Sequence, residues 1–351
     1  STMKNNLKSL FIIILFNFLI INNIKADDQF NFNVSEIDIL ENGNKIIGSK
    51  RGKISTNDGI IISADKFEYD KIKNTLNANG NVIIEDEIND YKIYTEEVNY
   101  NKNEEVISTN GKTKSEVYSK YSFSSENIIF LRSEKILNSK FTTTIIDNES
   151  QTLYEFGKFN FLLDKEILKG QDILVNLNYN QPFNDKLYLK NGMFNLKDKS
   201  FIAKNIEINL KKDIFDNLEN DPRLKGVSAT SEGKITKIKK GVFTSCKNDE
   251  GCPPWVITAK EITHDKNKKQ LIYDGALLKV YNVPILYFPK FLPPDPTVKR
   301  QSGLLKPQLN NSSILGSSFS LPYYKIIAEN KDFTFRPRIF DSDIKMLQNE
   351  Y

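Results

Sequence analysis

Apolar and polar residues alternate in short runs over most of this chain, the pattern of strands with one face buried. In the run from Lys66 to Asp70, Phe67 and Tyr69 take one face while Lys66, Glu68 and Asp70 take the other. Residues 50–135 repeat this theme with a period of about thirty residues, the mark of a stacked supersecondary unit. Ala64-Asp65-Lys66-Phe67-Glu68-Tyr69-Asp70 aligns with Thr95-Glu96-Glu97-Val98-Asn99-Tyr100-Asn101, and Leu76-x-Ala78-x-Gly80 aligns with Ile107-x-Thr109-x-Gly111. A third copy begins at Ser125, with Ile128 and Phe130 in place of Phe67 and Tyr69. Each unit reads as two period-2 runs around an Asn- or Lys-rich turn, which predicts a hairpin. Later strands follow at Phe159/Phe161/Leu163, Ile173/Val175/Leu177/Tyr179 and Ile206/Ile208/Leu210. The expectation is an all-β stack of hairpins forming an open, twisted pair of sheets around an apolar interior. Its inward positions include Phe67, Tyr69, Val82, Ile84, Val98, Tyr100, Ile128 and Phe130.

The chain changes character near Pro284. Pro284, Pro289, Pro293, Pro294, Pro296 and Pro307 fall within about 25 residues, a density that excludes paired central strands and predicts a hinge. Beyond it the alternation resumes, predicting three strands at 301–309, 315–327 and 332–341. In the last, Phe333, Phe335, Pro337 and Ile339 share one face, and Thr334, Arg336 and Arg338 share the other. That segregation fits the apolar-out, polar-in rule of a membrane barrel, although a half-buried soluble strand reads almost the same. Three strands cannot close a barrel, and an open edge in lipid leaves backbone groups unsatisfied, so the expectation is a chain cut at Tyr351 in mid-barrel. At the other end, Lys4 and Lys8 precede an apolar run from Leu10 to Ile21, and Ala26 offers a small residue before Asp27-Asp28. This predicts a cleaved signal peptide over residues 1–26, its core short of the ~20 residues of a spanning helix. Ser1-Thr2 ahead of Met3 read as a scar or upstream read-through.

Composition narrows the classes of function. Hydrophobic residues make up 39% and aromatics 11%, and the 23 Phe and 15 Tyr favour strands. The formal charge of +4 falls close to neutrality once Lys4, Lys8 and Lys25 of the leader are set aside, so no global field calls for nucleic acid. Cys246 and Cys252 are permitted to pair in an exported chain, closing a small loop through Gly251. A metal site has little to stand on, with one histidine, His264, and no second Cys-x-x-Cys. No nucleophile–base spacing and no Gly-rich phosphate loop appears, so neither enzyme activity nor a cofactor is expected.

Ordered motifs over roughly residues 240–340 carry a resemblance. They are the Thr244–Cys246 turn, Trp255, Ala259-Lys260-Glu261-Ile262 with His264-Asp265, Val283-Pro284 through Phe288-Pro289, Ser302-Gly303-Leu304 and Leu321-Pro322-Tyr323-Tyr324. In this region the chain resembles the LptD (OstA) family of outer-membrane lipopolysaccharide-assembly proteins, and the earlier repeats resemble its OstA-type β-jellyroll more loosely.

The resemblance implies a periplasmic OstA-like jellyroll over 27–295 and the start of a transmembrane β-barrel over 296–351. The jellyroll would receive lipopolysaccharide from an LptA-like periplasmic bridge protein. The barrel, holding an LptE-like lipoprotein plug, would deliver it to the outer leaflet of the outer membrane. The eight inward residues then become candidates for an acyl-chain slot, where alternation alone reads equally as an ordinary sandwich core. Pro307 and Pro322 become lateral-gate candidates, since each forfeits a ladder hydrogen bond worth ~1 kcal/mol; as bare residues they read equally as strand ends. Lys299, Arg300, Lys306, Arg336 and Arg338 are candidate cations for lipid phosphates, or rim and lumen charges facing water. In the family a cysteine at the Cys246 position bonds to cysteines near the far end of the barrel, which this chain does not reach. Its partner therefore stays open between Cys252 and a barrel cysteine. The alternative reading is a soluble periplasmic LptA-like bridge or structural β-domain, which needs neither the proline block nor the alternating strands after it.

Overall fold

One local motif makes the hairpin turns. Asp70, Asp86, Asn101, Asp147 and Asp265 each accept backbone N–H bonds from the residues two and three positions on, for example Ile72 and Lys73 on Asp70 Oδ1, both at 3.0 Å. The side-chain oxygen mimics a backbone carbonyl and starts the turn. Four positions after each comes a residue in the left-handed region, Asn74, Asp90, Glu105, Gln151 and Lys269, which returns the chain to the next strand.

The computed structural model describes residues 30–182, 184–212, 218–248, 253–293, 298, 300–305, 307–342 and 344–351. The expected signal peptide (residues 1–26) and Cys252, Pro294, Pro296, Lys299 and Lys306 lie outside the described residues. The fold is all-β, with 23 strands in one sheet and six in another.

The large sheet is folded on itself. The strand Thr75–Asp86 pairs its first half with Lys66–Asp70 and its second half with Ile60–Ala64. Tyr91–Asn101 divides in the same way between Lys112–Val117 and Val106–Asn110, and Thr152–Leu162 between Thr143–Asp147 and Ile136–Ser139. Two layers therefore meet along a corner that crosses each long strand and separates the short ones. Residues with positive φ mark this line at Gly80, Asn81, Asp172, Asn205, Lys240 and Gly275. From Ile167–Leu177 onward the strands run through the corner unbroken, as far as Val283–Phe291.

The corner solves a phase problem. Inward residues are Tyr91, Ile93 and Thr95 before the bend but Val98 and Tyr100 after it; likewise Tyr154 and Phe156, then Phe159 and Phe161. An uninterrupted strand would turn its apolar set outward in one layer, and one extra residue at the bend restores it. Backbone groups freed there find hydroxyls: Thr109 Oγ1 accepts the Ile128 N–H at 2.9 Å, and the buried Thr113 hydroxyl lies within hydrogen-bond distance of both Thr109 and Thr95.

The proline block departs from expectation. Residues around Pro284 and Pro289 form a paired strand, Val283–Phe291. It is the edge of the large sheet, where a missing N–H faces outward, and Pro289 stands opposite Gly275 where the ladder skips a pair. The large sheet ends there, and the second begins at Gly303–Leu304. The predicted 301–309 strand is broken into Gly303–Leu304 and Gln308–Ser312, and the 315–327 strand into Gly316–Ser320 and Tyr323–Ala328. Lys331–Phe340 is whole, and a further strand, Lys345–Glu350, pairs on its other side.

Candidate functional site

All eight inward candidates lie where the alternation puts them, none more than 8% exposed. They belong to one contiguous apolar cluster running from Phe30 to Ala276. Aromatic rings from the two layers interlock along it: Tyr91 meets Phe130 at 4.9 Å between centroids and Tyr121 meets Phe161 at 5.6 Å, both edge-on. In this structure those side chains fill the interior, closing it rather than lining an open slot. Beyond those eight, the same seam takes in Ile54, Ile62, Ile93, Tyr121, Phe123 and Phe156 among others, on the same alternation.

The seam is unevenly covered. Beyond Ile206 the seam stays buried at Ala229, Ile238, Ile262, Tyr273 and Ala276, but one register row along it, Ile208, Leu224, Phe243 and Ile257, is only partly buried, as are Leu271, Phe288 and Phe291. The last strand bares Val283, Ile285, Leu286 and Tyr287 outright. The apolar interior is thus partly open along that one row and at the strand that precedes the second sheet.

That second sheet sorts its side chains by polarity. Register aligns Leu309, Phe319 and Ile339 in one row and Leu304, Tyr323 and Phe335 in another, all on one face. This is the exposed face, with Leu309 81% open. The opposite face carries Ser318, Ser320 and Thr334, which are buried, with Arg336 and Arg338 half-buried. A soluble sheet buries its apolar face; here the burial is reversed.

Pro307 and Pro322 meet in one interruption of the first hairpin. Leu304 pairs with Tyr323 and Gln308 with Ser320; between these rungs the described ladder holds a single bond, from Leu305 N to the Pro322 carbonyl at 2.8 Å. Of the candidate cations, Arg300 is occupied by Tyr324, Asp332 and the Glu329 carbonyl, and Arg336 by Glu350. Cys246 is half-buried, its Sγ 3.9 Å from the Trp255 carbonyl. His264 pairs in register with Thr236 inside the sheet.

Charge gathers at one place on the sandwich rim. Arg132 approaches Asp58 at 2.6 Å, Asp86 at 3.4 Å and the Tyr100 hydroxyl at 2.9 Å, and also pairs with Glu105. Lys102 pairs with Asp58 at 2.8 Å and Glu105 at 2.6 Å. Burial pushes the Asp58 carboxyl up, but hydrogen bonds from Lys102, Thr56 and Arg132 outweigh it and hold the group well below the usual carboxylate range. Burial likewise pushes the Tyr100 phenol up to about 12 against the pull of Arg132 and Lys102. A carboxyl depressed on folding stabilises the fold above its ordinary pKa near 3.8, and that contribution drains away as pH falls toward the folded value. The melting-temperature gap between wild type and Asp58→Asn is therefore expected to be constant at neutral pH and to narrow below about pH 4, read from thermal unfolding across an acid series. A gap independent of pH would remove the ionised Asp58 from the account.

No protein-family model matches the chain. Among curated proteins it is 33% identical over 176 residues to the LPS-assembly protein LptD of Polaromonas sp. strain JS666, a match covering 46% of this chain and 21% of that protein. It is 30% identical over 186 residues to the LPS-assembly protein LptD of Nitrosomonas eutropha, covering 50% of this chain and 25% of that one. The protein of the same name from Yersinia pestis is 34% identical over 120 residues, covering 34% and 15%. The matched stretch thus spans a quarter or less of these relatives' own length.

Proposed function

The chain belongs to the LptD family, and from that premise we propose that it carries lipopolysaccharide across the periplasm-facing side of the outer membrane and into it. The large folded sheet is the periplasmic jellyroll and takes the acyl chains along its apolar seam. The six-stranded sheet is barrel wall, with its apolar face toward lipid. One observation carries this reading: the apolar interior runs unbroken from Phe30 to Ala276, with the row Ile208, Leu224, Phe243 and Ile257 partly open along it, up to Val283–Phe291, the strand that precedes a sheet whose apolar face is exposed. An LptA-like bridge supplies the lipid and an LptE-like lipoprotein fills the completed barrel. A soluble bridge protein has no use for the exposed apolar face, which disfavours that alternative.

Photocrosslinking in cells tests the path. Probes at Phe67, Val98, Ile128 and Phe288 are expected to form lipopolysaccharide adducts, and outward probes at Glu68 and Asn99 are not. Failure at every inward probe in a folded, outer-membrane-located protein would reduce these residues to ordinary core.

The shared gap at Pro307 and Pro322 is the lateral gate in this proposal. Each proline withholds a ladder bond worth about 1 kcal/mol, so the seam starts partly undone. Replacing both by alanine is expected to tighten the hairpin and slow lipid delivery, seen as lower surface lipopolysaccharide with undiminished crosslinking at Phe67. Unchanged surface delivery would leave the prolines as simple strand ends.

A further inference from the structure

The two layers of the sandwich meet at the corner and stand apart at their rims, and turns distant in sequence reach each other across that gap. Arg132 lies on the rim of one layer, in the turn after Ile129–Leu131, whereas Asp58 and Asp86 lie in turns on the rim of the other. Lys102, beside Arg132 on its rim, reaches the same Asp58. Further along, a second tie crosses the gap: the Tyr121 hydroxyl donates to Glu166 at 2.7 Å and Lys120 approaches that carboxylate at 3.3 Å. Past Glu166, ion pairs among the described residues join neighbours within one layer, as Lys212–Asp221, Lys225–Glu207, Lys268–Asp265 and Lys290–Asp274 do.

These ties are not ordinary surface pairs, which water screens to little effect. The Arg132 side chain is 9% exposed and that of Asp86 is fully covered. They also sit directly on the core, since Arg132 bonds the hydroxyl of Tyr100, whose ring packs inside it. The gap between the rims at this point leads to Tyr100 and Phe130 without crossing a hydrogen-bonded ladder.

We infer that the Arg132 and Glu166 clusters are clasps that hold the rims shut over the repeat half of the sandwich, and that they release to admit acyl chains between the layers, against Tyr100 and Phe130. The inference rests on reading the interior as the lipid path. It makes Arg132 a positioning residue, which sets the rim spacing without itself holding lipid. The ties are ionic and polar, so they exchange partners without disturbing the apolar packing beneath them.

Two readouts in the full chain separate the clasp from the path. With Cys246 and Cys252 changed to Ser, spin labels at Glu87→Cys and Glu104→Cys report the distance between the rims. Arg132→Met is expected to move and broaden that distribution, while Lys45→Met, which removes a pair within one layer, leaves it in place. In the same background, Asp58→Cys with Arg132→Cys is joined by a short cleavable bis-maleimide. Locked protein is expected to lose lipopolysaccharide photocrosslinking at Phe130 and recover it on cleavage of the linker. An unmoved distribution in folded Arg132→Met, or full crosslinking through the locked rim, overturns the clasp while the lipid path stands. Absence of crosslinking in locked and cleaved protein alike, with the distribution moving as expected, fails the lipid path and leaves the clasp as a structural tie only.

Discussion

Phe156→Ala is expected to destabilise the sandwich by about 3–5 kcal/mol, the upper range for emptying a buried aromatic site. Phe156 is fully buried at the corner, with ring centroids of Tyr154, Phe159 and Phe194 all between 6.3 and 6.4 Å away. The cost of such a truncation depends on whether neighbours collapse into the space. Here they are poorly placed to do so. The facing residue is Gly170, whose missing Cβ would lie 2.2 Å from Phe156 Cδ1, so the ring occupies room that no other side chain can fill. Both layers are anchored by continuous ladders on either side of the bend, which further limits relaxation. In a domain of this size each kcal/mol moves the melting temperature by about 2–4 °C, so a fall on the order of 10 °C is expected by calorimetry. Phe243→Ala, at a partly buried position nearer the uncovered end, is expected to fall by less than half of that. Equal losses at the two sites would contradict the partial burial of the Phe243 row, on which the lipid path depends.

Much of this fold was legible because it is repetitive. The alternation at Phe67/Tyr69, Val98/Tyr100 and Ile128/Phe130 declares which face is buried, and every one of those residues is buried. The corner is recorded too, as the one-residue slip from Ile93/Thr95 to Val98/Tyr100, but it reads as noise unless two layers are already assumed. Residue type gave little help: positive φ falls on Asn81, Asp172 and Asn205, types that tolerate it, but also on Lys240, and the hairpin turns use Asn and Asp just as freely. The prolines misled for a related reason. The rule against proline applies to central strands, and a linear reading cannot tell that Val283–Phe291 is an edge. The rim cluster was out of reach altogether: Arg132 and Asp58 are 74 residues apart, and each alone reads as a solvated turn charge.

Gly80 and Gly111 occupy the same place in successive repeats, yet valine at the first is expected to cost far more. Both have positive φ, +80° and +85°, where a β-branched residue is strained by about 1–3 kcal/mol. At Gly111 a Cβ meets nothing within 4 Å, and that strain is the whole expected loss. Gly80 lies inside the continuous strand Thr75–Asp86, pressed against the corner of its neighbour. A Cβ there would stand 2.7 Å from Asp65 Oδ2 and 3.0 Å from Asp65 Cβ. Asp65 cannot simply step aside, because its backbone N–H bonds the Gly80 carbonyl at 3.0 Å and its carboxylate bonds Arg51 and Asn81. Gly80→Val is thus expected to add the loss of this local network, about 2 kcal/mol, to the strain, for a total of roughly 3–5 kcal/mol, against the strain of about 1–3 alone for Gly111→Val. Thermal unfolding of the two variants side by side checks it. Matching losses would mean that the bend is held by φ alone, and that the Asp65 contacts, which tie one layer to the other at the fold line, contribute nothing to the angle between them.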